Sequence, residues 1–280
     1  MPDALTVALG RTTRMEALFT GAVADPALPL DLPAISPISR AFAPMVREGR
    51  YPVSEMAIAT FLMAKAAGTP LVLLPCVLMA RFQEGALLVP EASPIRAPEE
   101  LRGKQVGVRA YSQTTGMWIR GVLQTRHGLP PDAMRWTTFE DAHVATYRDP
   151  PFAARAPAGA TLEGMLESGE LDAAIFGAEA PGGATRPVFD VPAATAAFRA
   201  EHGFTPVNHL LCARTEIARD HAADLTRLLD LLRRAGAEVT TRDALAPALT
   251  LAARYCAEQG LTPRELHFHE IWKDTPAVFT

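Results

Sequence analysis

Apolar positions recur along this chain with two alternating periods, one strand-like and one helical. Residues 5–9 alternate as a short strand that Gly10 ends, and Thr12 or Thr13 then caps a helix running to Phe19. A Pro-rich, extended stretch covers 27–36, after which Pro37 opens a helix expected to stop near Gly49. Residues 52–55 form a brief strand, and Ser54 is placed to cap a nearly all-apolar, buried helix over 56–67. The continuous apolar run 71–77 predicts a strand covered on both faces, and 85–89 predicts another. A short helix, a Gly turn and a strand follow over 101–108, then a helix over 113–127 that Gly128 ends. Residues 135–139 form a strand, 140–160 have no period and are loop-like, 161–168 form a helix and 171–176 a buried strand. A Gly-rich loop follows over 178–185. After a strand at 207–213 the chain turns helical. Leu225, Leu228, Leu229, Leu232 and Ala235 share one face, with Arg227, Asp230, Arg233 and Arg234 opposite. Helices over 243–259 and 263–271 close the chain.

Strands and helices joined by short links predict an α/β architecture with sheets covered on both sides. The Pro-rich loops near 90–98 and 185–206 are the expected crossings between two lobes. Lobe 1 is then discontinuous, residues 1–90 plus 206–280, and lobe 2 is the insert 91–205.

The balance of 49% hydrophobic and 21% charged residues suits a soluble globular chain, and a net charge of −4 offers no field for nucleic acid. Only Lys65, Lys104 and Lys273 are lysines, so nearly all the cations are planar arginine forks suited to carboxylates. Cys76, Cys212 and Cys256 are odd in number and form no CxxC pair, which excludes a disulfide framework and a structural zinc site as expectations. The opening MPDALTVALG has neither a basic segment nor an apolar run of leader length, and no stretch nears the ~20 apolar residues of a bilayer span. The expectation is a cytoplasmic protein with no membrane partner. No dinucleotide, phosphate-loop, nucleophile-elbow or zincin motif is present, so no cofactor is expected. His267, His269 and Glu270 are close in sequence but lack further ligands, and no metal is expected there.

Candidate chemistry gathers where strands give way to helices, since helix starts offer unpaired N–H groups and partial positive charge to an anion. Three junctions have this form: Gly10 to Arg14, Ser54 with Glu55, and Tyr111 to Gly116. They supply Thr12, Ser54, Gln113, Thr114 and Thr115 as binding candidates. Arg14, Arg81 and Arg120 are the candidates to grip a carboxylate. Trp118 is either core or a stacking surface. His209 lies in an apolar strand beside Asn208, and His209, Glu55 and Glu84 are the candidate proton carriers. The expected partner is a small anionic molecule, a carboxylate.

Several of these phrases occur together in one known family. Tyr51 to Leu62, Arg81-Phe82, Leu101 to Val108, Tyr111 to Leu123, Gly169 to Ile175, Asn208-His209 and Tyr255 to Arg264 follow in order. Together they resemble the 4,5-dihydroxyphthalate decarboxylase-like family. The resemblance implies a type-2 periplasmic-binding-protein-like fold, with a ligand cleft between two parallel or mixed-sheet lobes. It also implies cofactor-independent loss of one carboxylate from a dihydroxylated aromatic ring. Ser54, Glu55, Arg81, Gln113, Thr114, Trp118, Arg120 and His209 match its recurrent positions. Gln83-Glu84-Gly85 depart from the basic-His-Ser run usual after Arg-Phe, which changes the charge expected beside the cleft. The alternative reading is a non-catalytic solute-binding protein of the same fold; an enzyme acting on a futalosine-like or pyrimidine-precursor molecule ranks third.

Overall fold

The computed structural model describes residues 4–177 and 183–279. In chain order the strands are β1 (Leu5–Ala8), β2 (Leu30–Asp31), β3 (Val53–Ala57), β4 (Leu71–Ala80), β5 (Leu87–Pro90), β6 (Gln105–Val108), β7 (Arg135–Thr138), β8 (Ala153–Arg155), β9 (Ala173–Ile175), β10 (Thr185–Pro187), β11 (Val207–Arg214) and β12 (Glu238–Val239). The helices are α1 (Glu16–Phe19), α2 (Phe42–Glu48), α3 (Ile58–Ala66), α4 (Thr114–His127), α5 (Leu162–Glu167), α6 (Val191–His202), α7 (Thr215–Asp220), α8 (Ala222–Arg234), α9 (Arg242–Glu258) and α10 (Phe268–Ile271).

The strands form two six-stranded sheets, ordered β12-β4-β11-β3-β1-β2 and β10-β5-β9-β6-β7-β8. Both are mixed. In the first, β11 runs antiparallel between β3 and β4. In the second, β6 is parallel to β7 and β9, while β5 is antiparallel to β9. The apolar run of β4 has this central place because both its faces are covered, which leaves its first seven residues buried.

One apolar cluster joins the two halves. It takes Met56, Phe61 and Leu62 from β3 and α3, Val106 and Trp118 from β6 and α4, and Leu249 and Tyr255 from α9. Helix α9 packs on both α3 and α4. The approach of α4 to α9 is close at Gly121, where a Cβ would stand 2.1 Å from the Tyr255 ring. A second cluster, centred on Leu225, Leu228 and Leu232 of α8, covers the other face of the first sheet.

The structure corrects several expected boundaries. Strand β3 runs on to Ala57, so Ser54 is strand interior and α3 starts only at Ile58. Strand β5 pairs in the second sheet, with β9 and β10. The chain therefore passes between sheets over 81–86, ahead of the expected crossing at 90–98. The segment 185–206 is no loop: it holds β10 and the twelve-residue α6, capped by the Asp190 side chain on the Ala193 N–H with Pro at its start. Strand β8 lies within the supposed loop 140–160 because its backbone pairs with β7. Of the expected Gly-rich loop, residues 178–182 lie outside the described residues. Among the described residues, no helix is long and apolar enough to cross a membrane.

Candidate active site

Between the two sheets lies a cavity of about 640 Å³, lined by residues of both halves. Its floor on the first sheet carries His209. The β3–β11 register pairs His209 with Ala57 and Leu211 with Glu55, which sets Glu55 and His209 diagonally across the ladder. The register of β11 against β4 shifts on both sides of His209, an irregularity of the kind that re-aims a side chain. His209 Nδ1 lies 2.6 Å from Glu55 Oε1. The other oxygen of Glu55 accepts the Gly10 N–H at 2.8 Å. A Cβ at Gly10 would crowd that oxygen at 3.1 Å, so this contact favours glycine. With Nδ1 committed to a buried carboxylate, Nε2 is the ring nitrogen left for a ligand.

Two arginines line the cavity, each directly after a strand: Arg81 follows β4 and Arg109 follows β6. Arg81 Nη2 donates to the Thr115 hydroxyl at 3.2 Å and to the Gly177 carbonyl at 3.1 Å. Burial lowers its pKa, while its Nε has no partner among the described residues. Arg109 Nη1 donates to Ser39 Oγ at 3.1 Å, and its Nε, 3.6 Å from Glu140, makes no hydrogen bond among the described residues. Both forks keep N–H capacity for an anion.

The start of α4 forms another wall. Gln113, Thr114 and Thr115 all line the cavity. The Thr114 hydroxyl accepts the Ala59 N–H at 3.1 Å, so the first turns of α3 and α4 meet here. Asn208 is held by a reciprocal amide pair with the buried Gln83, at 2.6 and 3.3 Å. That pair, with Gln83 Nε2 also donating to the Arg81 carbonyl, ties the chain entering the second half to β11.

A second histidine completes the lining. His143 shares a 2.8 Å hydrogen bond between Nδ1 and the Thr60 hydroxyl of α3. Phe42 stands edge-on to both His143 and His209, with ring centroids 5.5 and 5.3 Å away. Burial, then the charges of Arg109, Arg47 and His209, pushes His143 down to about 4.

Other candidates lie elsewhere. Thr12 is exposed, and its hydroxyl only accepts the Met15 N–H at 3.3 Å as a cap. Arg14 is exposed against Gly236 and takes no part in the lining, because the turn after β1 points it to the far side of the first sheet. Ser54 is fully buried in β3 and donates to the Glu55 carbonyl at 2.7 Å. Trp118 is core: its Nε1 donates to the Val207 carbonyl at 2.9 Å. Arg120 is wholly buried behind α4, donating to Gln259 Oε1 at 2.8 Å and to the Tyr111 carbonyl at 2.5 Å, its guanidinium 3.9 Å from the Tyr111 ring centre. It therefore braces the fold and does not reach the cleft. Glu84 is 2% exposed and outside the lining, with neither oxygen partnered among the described residues. Near the C-terminus, Glu270 is taken by Arg264 at 2.6 Å, and the described residues contain no group of three His, Cys, Asp or Glu fit to hold a metal.

Sequence reasoning missed Arg109, His143, Thr60 and Ser39. Arg109 carried a signal, since it directly follows the strand predicted to end at Val108. His143 sat in the aperiodic stretch and carried none.

Two mixed α/β sheets with a polar cleft between them define a two-lobed periplasmic-binding-protein fold. Solved structures of that fold superpose on nearly the whole chain. The periplasmic aliphatic sulphonate binding protein SsuA of Escherichia coli matches with a TM-score of 0.58 at 17% identity, over 99% of this chain and 84% of that one. The alkanesulfonate-binding SsuA of Xanthomonas axonopodis pv. citri, bound to MOPS, matches with a TM-score of 0.52 at 14% identity, over 98% and 85%. In sequence the chain resembles proteins named 4,5-dihydroxyphthalate decarboxylase. The Comamonas testosteroni protein is 25% identical over 293 aligned residues, 96% of this chain and 85% of its own length. The Pseudomonas putida protein is 29% identical over 189 residues, 63% of this chain and 71% of its own. No family model matches the chain.

Proposed function

We propose that the cleft binds a small aromatic carboxylate and removes one carboxylate as CO2 without a cofactor. The observation that carries this reading is the Glu55–His209 pair, 2.6 Å apart, facing a cavity that also holds Arg81 and Arg109. The likeness to decarboxylases supports the reaction, and the guanidiniums support the charge of the ligand.

The residues divide the work. Arg81 and Arg109, with the amides at the start of α4, hold carboxylate. Anchoring only the group that stays is useful, because equal grip on both would stabilise substrate as much as transition state. A ring hydroxyl pushes electrons toward the carbon bearing the departing group. His209, as imidazolium on the Glu55 carboxylate, donates the Nε2 proton to that carbon. The C–C bond then breaks, its electrons restore the aromatic ring, CO2 leaves, and solvent returns a proton to His209. Glu55 is a positioning residue in this scheme and stabilises the cation.

A thermal-shift screen of aromatic and aliphatic mono- and dicarboxylates tests the ligand class, and CO2 release from 4,5-dihydroxyphthalate tests the reaction. The expected result is a raised melting temperature, CO2 release, and at least about a tenfold fall in kcat for His209→Ala with binding retained. Unchanged kcat removes His209 from the scheme. Stable binding with no CO2 from any aromatic carboxylate favours the second reading, a solute-binding protein, which the fold supports.

A further inference from the structure

We propose that His143 determines specificity in this cleft by taking hold of a ring hydroxyl of the ligand, separately from the proton transfer assigned to His209. The inference rests on the carboxylate-site reading above and extends it to the remainder of the ligand.

The two histidines are held by opposite chemistry. His209 sets Nδ1 2.6 Å from the Glu55 carboxylate. His143 leans on the Thr60 hydroxyl, and the charges facing it are those of Arg109, Arg47 and His209. With its pKa pushed down to about 4, the His143 ring is neutral at pH 7. A ring tied to a carboxylate and a ring tied to a hydroxyl within one site suit different roles.

Neutrality decides what His143 is for. A carboxylate in the cleft finds charge-assisted donors at Arg81 and Arg109, which a neutral imidazole cannot match. With Nδ1 committed to Thr60, Nε2 is the nitrogen left to this lining residue for a ligand, a lone donor or a lone acceptor depending on the tautomer. A carboxylate suits only the donor form. A phenolic hydroxyl both donates and accepts, so it pairs with either. Both histidines line the same cavity and both pack edge-on against Phe42, so one ligand in that cavity has both rings in its lining.

The position is also held firmly. Arg47 of α2 donates from Nε to the His143 carbonyl at 2.8 Å and from Nη2 to the Ala142 carbonyl at 2.7 Å. The backbone on both sides of the β-carbon is thus strapped to the opposite lobe, and the ring is fixed by Thr60 on α3.

Calorimetric titration with 4,5-dihydroxyphthalate and with phthalate, which lacks only the hydroxyls, tests this on wild type, His143→Ala and His143→Gln. Wild type is expected to prefer the hydroxylated probe by about tenfold or more, because a site that hydrogen-bonds a hydroxyl rejects an analogue without it. His143→Ala is expected to bring that preference below about threefold while phthalate affinity stays within about twofold, and His143→Gln to keep part of it. Far-ultraviolet circular dichroism checks that each variant is folded. An equal loss for both probes overturns the proposal in favour of a strap between lobes, and an unchanged preference overturns it outright. Equal binding of the two probes by wild type sinks the hydroxyl assignment alone. Failure of wild type to bind either probe sinks the carboxylate reading and this inference with it.

Discussion

Glu55 commits each of its oxygens to a different task, one to the Gly10 N–H and one to His209. Glu55→Gln keeps the shape and removes the carboxylate charge beside His209. It is expected to lower kcat by about tenfold or more with little change in ligand affinity, read by steady-state kinetics beside calorimetric binding. His143 supplies a pH prediction. Its folded-state pKa of about 4 lies below the ordinary 6.5, so the unfolded chain takes up the proton first. The stability it contributes is complete above pH 6.5 and is lost as pH falls toward 4, at most about 3 kcal/mol. The melting temperature of His143→Gln should therefore fall less steeply than wild type between pH 7 and 4.5. Parallel slopes would contradict a neutral buried ring. At this scale the sequence exposed residue types but not their surroundings. Arg120 and Trp118 matched a family pattern and lie in the core, whereas His143 lacked any local mark and lies in the cleft.

Elements position these residues through contacts that tolerate little change. Helix α4 carries Gln113 at its cap and Thr114 and Thr115 in its first turn, and it reaches the cleft because Gly121 lets it lie against Tyr255 of α9. Gly121→Ala is expected to destabilise the fold by about 1–3 kcal/mol despite alanine's better helix propensity, since overpacking outweighs it. Urea denaturation measures this, and a neutral result would mean that Tyr255 has room to move. Most elements were legible because their signals are local: Gly49 and Gly128 end α2 and α4 in the left-handed conformation expected of them. Helix α6 also carried its marks, Asp190 as cap and Pro192 in its first turn, but its Ala-rich face lacks the apolar stripe that reveals a helix. Strands β8 and β10, three residues each, carry no periodic signal of their own.

The whole molecule joins two sheets by a shared apolar cluster and by polar ties across the cleft mouth, among them Arg47 with the 142–143 carbonyls. Arg47→Ala is expected to shift the ligand-free protein toward open forms, seen as a larger radius of gyration in small-angle X-ray scattering. It is also expected to weaken ligand binding by roughly the fraction of closed form lost, about three- to tenfold. An unchanged radius would show that the apolar cluster alone sets the closure. The sequence by itself determined the alternation of strands and helices, most of their ends, and the buried character of β4, because these follow from neighbours a few residues apart. Tertiary structure alone decided which polar groups share the cleft: Glu55 meets His209 across 154 positions and Arg47 meets His143 across 96. Strand register and helix packing set those meetings, and no short-range pattern encodes a distance between residues so far apart along the chain.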